Sequence, residues 1–70
     1  MAFKARIYLQ RRGEFEATYA GELDVDPRPV RHGRTTFSYA GKTETGRVES
    51  VDPIDWDQTG VVPTIRVVQS

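Results

Sequence analysis

Seventy residues bound one small domain, since a chain of this length buries only roughly 60% of its unfolded surface. The absence of cysteine excludes disulfide staples and thiolate zinc sites, and is compatible with a reducing compartment. Ten Lys+Arg against ten Asp+Glu argue against a domain held on nucleic acid mainly by counterion release, which shows as a basic stripe and a high pI.

The opening MAFKARIYLQRR contains no long apolar run. No signal peptide is expected, and no stretch approaches the ~20 apolar residues of a membrane helix. The expectation is a cytoplasmic, soluble chain. Within that opening, Phe3, Ala5, Ile7 and Leu9 alternate with Lys4, Arg6, Tyr8 and Gln10, the period of two that marks a half-buried strand. Arg11-Arg12-Gly13-Glu14 reads as a turn. Phe15, Ala17 and Tyr19 then alternate with polar residues, so a second strand follows as a hairpin partner, its odd positions continuing inward through Leu23 and Val25. Gly21 marks a bulge or bend in it.

Asp26-Pro27-Arg28-Pro29 stops the strand, because proline lacks the ladder donor. His32-Gly33 is a second turn signal. Thr35, Phe37 and Tyr39 then give the clearest alternation in the chain, and Gly41-Lys42 suits a tight hairpin turn into a fourth strand, about residues 43–51, with Gly46 as a bulge. Residues 52–60 read as a loop or a single helical turn, and residues 62–69, rich in β-branched side chains, as a closing strand. Low complexity and internal repeats are absent. Five short strands and no sustained helical period predict an all-β chain, a single small barrel or strongly bent antiparallel sheet over residues 1–70.

The run PVRHGRTTFSYAGKTETGRVESVDP followed by VVPTIRVV resembles the strand-turn-strand core of SH3-like small barrels, Tudor-like and KOW-like ones included. Val30, Gly33, Tyr39, Gly46 and Val48 occupy the places of that pattern's valines, glycines and tyrosine. The resemblance covers roughly residues 29–68 and implies a fold rather than a function. GVVPTIRV is also similar to the segment ahead of the last strand in SH3 signalling domains. The acidic aromatic opening of those domains is absent, however, and Trp56 stands only seven residues before Pro63, so polyproline recognition is not implied. KOW-like barrels usually carry more positive charge than this chain.

Three serines, one histidine and many carboxylates include no nucleophile-elbow context, and a core this small has little room for an active-site pocket of ~300 to 1,000 Å³. No enzyme is expected, and no cofactor. The run Asp52, Asp55, Asp57 lacks the spacing and glutamate of a calcium loop, so no metal is implied. Candidate partner-binding residues are of two kinds. Arg28, Arg31 and Arg34, joined in space by Arg11 and Arg12, can offer planar forks to phosphates or to an acidic partner; the alternative is that they pair with Glu22, Asp24 and Asp26 nearby. Tyr8, on the polar face of the first strand, and Trp56, between Asp55 and Asp57, can form an aromatic-acidic site for a cation. Alternatively, Trp56 folds back as a lid over one barrel end. The expectation is therefore a non-enzymatic interaction module or accessory domain. It takes a protein partner on exposed strand edges or side chains, with self-association an option and a nucleic-acid module using the Arg28 to Arg34 loop as the alternative.

Overall fold

The computed structural model describes residues 2–69, and it closes five strands into a barrel in chain order. The strands are β1 (Phe3–Gln10), β2 (Thr18–Asp26), β3 (Arg34–Tyr39), β4 (Lys42–Asp52) and β5 (Thr64–Val68), with a one-turn helix α1 (Trp56–Thr59) between the last two. Successive strands are antiparallel. With an odd number of strands running up and down, the last must run the same way as the first, so the barrel closes through a parallel pair. Arg6 faces Thr64, and the register continues to Gln10 against Val68. At the two ends of this pair, Arg6 N–H donates to Pro63 O at 2.8 Å and Gln69 N–H to Gln10 O at 2.9 Å. The fold is a small closed five-strand barrel, consistent with an SH3-like architecture, and the all-β expectation holds.

Alternation in β1 puts Ala5, Ile7 and Leu9 inside; Val25, Phe37, Val48, Ile65 and Val67 complete the buried apolar core, each from a facing strand. Thr35 is the one polar residue buried among the described residues, and its hydroxyl donates to Pro27 O at 3.2 Å. That bond ties the proline turn after β2 to the start of β3 and satisfies a group that would otherwise be costly to bury. Pro63, also fully buried, plugs the approach to β5.

Several elements sit differently from their sequence reading. The second strand begins at Thr18, not Phe15. The bulge expected at Gly21 is present, since Ile7 faces Gly21 while Tyr8 faces Tyr19. Skipping Ala20 in the register inverts the parity on its N-terminal side, so Ala20 turns toward the core and Tyr19 and Phe15 turn to solvent. The hairpin between β3 and β4 turns on Ala40-Gly41, with φ of 53° and 79° and Tyr39 facing Lys42; two positive φ values match the right-handed twist of the flanking strands. In β4 the register shift falls between Val48 and Ser50, not at Gly46, which pairs regularly with Thr35. Glycine is needed there for a different reason. A Cβ on Gly46 would lie 2.6 Å from Val67 Cγ1 and 2.9 Å from Val68 O, so β4 and β5 approach too closely for any side chain.

Closure uses up most of the exposed edges on which partner binding by strand addition was expected. The exception lies between β2 and β3, where Val25 faces Phe37, Asp26 faces Thr36, and the pairing goes no further.

The close β4–β5 approach gives a direct test. Gly46→Ala should lower stability by about 2 to 3 kcal/mol through overpacking against an immovable carbonyl, read as a shifted urea midpoint with an unchanged denaturant slope.

Candidate functional site

The barrel has two rims and a wall, and the sequence-selected residues divide among them. At the rim where β1 starts and β2 and β4 end, the helix α1 lays Trp56 across Phe3, edge to face with ring centroids 6.0 Å apart. Arg28, from the turn after β2, lies over the indole ring at 5.5 Å and forms an ion pair with Asp57. Trp56 is therefore half-buried, in contact with an aromatic ring and a guanidinium. It is a latch on the rim, neither a fully buried lid nor a free binding surface. Gly60, with φ of 76°, caps α1 by donating to Trp56 O at 3.0 Å, so the turn ends where the indole needs it to. A shallow cavity of about 390 Å³ lies beside Phe3, Arg28, Trp56 and Val61, and Arg31 lines a smaller one with Ile54.

At the opposite rim, Arg11 donates to Glu44 Oε2 at 3.0 Å and lies over the Tyr39 ring at 5.8 Å. Gln69 Nε2 donates to the other Glu44 oxygen at 2.9 Å. The Gln69 bond first, and then the Arg11 bond, hold the Glu44 carboxyl below the usual carboxylate range. Arg12 is exposed in the adjoining turn. The two arginine groups do not converge: Arg28 and Arg31 belong to one rim and Arg11 and Arg12 to the other. Nor does Arg28 pair with Glu22, Asp24 or Asp26, because β2 points those carboxylates outward along the wall while α1 brings Asp57 to it.

The wall carries what the sequence reading placed elsewhere. Tyr8 stacks on Tyr19 across the β1–β2 pair, centroids 5.0 Å apart and tilted by 45°. Tyr8 is thus far from forming a cage with Trp56, which is committed to Phe3. The tyrosines are 42% and 51% exposed, and Phe15 in the preceding loop is 96% exposed. A groove of about 450 Å³ runs beside Tyr8, Phe15, Ser50, Asp52 and Arg66, and Arg66, directly opposite Tyr8 on β5, donates to Gln10 Oε1.

Further round the wall, Arg34 faces Arg47 across β3–β4. His32 stands beside them in the turn before β3 with φ of 71°, its N–H donating to Val48 O at 2.7 Å and Val48 N–H returning to Gly33 O at 2.7 Å. Arg47 also donates to Glu49 at 2.6 Å. That bond, with the charges of Arg47, His32 and Arg66 behind it, holds the Glu49 carboxyl below its ordinary value. Of the basic segment selected from the sequence, His32 and Arg34 lie in this group. Phe15, Tyr19, Arg47 and Arg66 were missed; the bulge at Gly21 was the signal that would have turned the first two outward.

No protein-family model, no curated protein and no solved structure matches this chain. Its class therefore rests on strand order and register.

Two rim predictions follow from these contacts. Trp56→Ala should cost about 2 kcal/mol, less than the ~3 to 5 kcal/mol of a fully buried tryptophan, measured by urea unfolding followed by circular dichroism. The Glu44 carboxyl is lowered in the folded state, so its contribution is complete above the unfolded value of about 4.3 and is lost as pH falls through the lowered value. Glu44→Gln should accordingly flatten the fall in melting temperature as pH drops below about 4.3.

Proposed function

We propose that this barrel is a non-enzymatic interaction module that takes a protein partner on the wall formed by Tyr8, Tyr19 and Phe15. The observation that carries the reading is the exposure of these three rings. The chain has three Phe, three Tyr and one Trp and, among the described residues, a core cluster of eight buried apolar side chains, yet it leaves three aromatic side chains exposed. Large contiguous apolar exposure marks a binding surface in a small monomer, and tyrosine with a neighbouring arginine is the pairing enriched at interface hot spots. Arg66 supplies that arginine at the groove edge.

The non-enzymatic part of the reading is supported by His32. It is exposed in a turn, and the cavity beside it is lined by arginines, Thr45, Gly46, Val68 and Gln69 with no carboxylate or serine. A membership among SH3-like small barrels is supported by the five-strand closure and by the helical turn between β4 and β5. A Tudor-like cation cage has no support in the separation of Tyr8 from Trp56. The nucleic-acid alternative through the Arg28 to Arg34 loop is weakened because Arg28 is held by Asp57 and Trp56. No helix among the described residues is long and apolar enough to cross a membrane.

The test is site-specific photo-crosslinking with a benzophenone side chain in place of Phe15 or, on a wall without exposed aromatics, of Ser38. A discrete heterologous adduct from position 15, absent from position 38 and lost in the Tyr8→Ala background, is expected. An adduct only with a second copy of the chain, or equal labelling from both positions, overturns the reading.

A further inference from the structure

The group His32, Arg34 and Arg47 is used neither by the core nor by the rim latches. β3 and β4 bring Arg34 and Arg47 directly opposite each other, and like charges in that relation destabilise a sheet. A chain with zero net charge had every compositional freedom to avoid the pairing. No carboxylate lies within ion-pair distance of Arg34 among the described residues, and Glu49 engages Arg47 alone. His32, and not its neighbour Gly33, takes the left-handed conformation, which histidine adopts more readily than most residues with a Cβ. The paired bonds between this turn and Val48 hold His32 at the mouth of a recess of about 320 Å³ that both arginines line.

We infer that this recess is an oxyanion site, and that it receives a phosphate-class group carried by the protein partner. The Arg34 fork, together with the part of the Arg47 guanidinium that Glu49 leaves unoccupied, matches the planar, multi-oxygen geometry of such a group, and histidine adds a further donor. The occupant is argued from charge and continuity. The recess lining holds cationic and neutral residues, with the Glu49 carboxylate just outside it on Arg47. It joins the aromatic groove through a shallow depression over Glu49, Ser50, Arg66 and Val68, which shares Ser50 and Arg66 with the groove and Val68 with the recess. From Tyr8 to Arg47 the path crosses the β1–β5 and β5–β4 junctions with a two-residue offset along β5, and Arg34 lies one strand further round the closed barrel. A partner segment with an apolar side chain against Tyr8 and a phosphorylated side chain at Arg47 and Arg34 therefore curves with the wall. The inference rests on the protein-partner reading for the source of the phosphate, though not for the site itself.

The experiment is amide and arginine Nε–Hε NMR of the whole chain with three probes. The first is inorganic phosphate, against sodium chloride at matched ionic strength. The second is a five-residue Gly/Ala peptide with a central phosphoserine, against its serine counterpart, and the third is a ten-nucleotide oligothymidine. Phosphate should give saturable shifts at His32, Gly33, Gly46 and the Arg34 and Arg47 side chains that chloride does not give. Arg34→Gln should weaken phosphate binding at least fivefold, Arg47→Lys should weaken it by losing the fork, and the exposed Arg12→Gln should not. The phosphopeptide should bind at least tenfold tighter than the serine peptide. Identical shifts with phosphate and chloride overturn the site. Oligothymidine binding tighter than the phosphopeptide, with a steep salt dependence, overturns the assignment to a protein partner. Tyr8→Ala leaves phosphate binding intact, so a failed crosslink from position 15 beside a saturable phosphate shift would reject the groove and retain the recess.

Discussion

The parallel pairing of β1 with β5 is the constraint on which the rest of this molecule depends. Parallel neighbours normally belong to sheets covered on both faces and joined by long crossovers. Here the pair arises because a five-strand meander has no other way to close, and the connection between its strands is the whole of the barrel. Its inward side chains, Ile7 and Leu9 from β1 and Ile65 and Val67 from β5, are half of the buried apolar core. The close β4–β5 approach at Gly46, the buried Pro63 and the latch of α1 all serve to deliver β5 into that slot. Without closure the core would be a curved sheet with one wet face, too small to sustain a 70-residue domain.

The same closure determines how charge is distributed. Each rim is fastened by one arginine that stacks on an aromatic ring and pairs with a carboxylate: Arg28 with Trp56 and Asp57, Arg11 with Tyr39 and Glu44. Exposed ion pairs contribute little individually, but here each is coupled to a ring that covers a barrel end, so the guanidinium also acts by packing. Arginines on the wall have no such employment. Arg66 lies beside the exposed aromatics, and Arg34 and Arg47 stand further round the wall on β3 and β4, so a neutral chain carries a local cationic stretch without a basic composition.

The strands were legible in the sequence because alternation is a local signal. β1 came out with its limits and faces correct and β3 with its faces correct but its end one residue late, and the core residues Ala5, Ile7, Leu9 and Phe37 follow from parity alone. The faces of β2 were not fully legible. Gly21 advertised a bulge, but a bulge inverts every side chain on one side of it, and reading straight through buried Phe15 and Tyr19, which are the most exposed aromatic residues of the wall. The arginine sites failed for another reason. Neighbours in sequence, such as Arg28 and Asp26, were natural candidates for pairing, whereas the actual partner, Asp57, depends on where a single helical turn docks. Arg47 opposite Arg34 is a matter of hairpin register, and that register hinged on placing the turn at Ala40-Gly41 instead of one residue later.

The seam between β2 and β3 gives the barrel a direction of weakness. Beyond Val25 and Asp26 the backbone of β2 has a neighbour on one side only, so residues 18–24 hold amide and carbonyl groups that water must satisfy. Every other junction is a long ladder. Thermal opening of such a cylinder is a tear that starts where the fewest rungs must break and runs toward the Pro27–Thr35 bond, which acts as its stop. Tyr19 rides on the flap that such a tear would lift. The wall that carries Tyr8 and Tyr19 is therefore held in a continuous ladder on its β1–β5 side and only briefly paired at its β2–β3 margin.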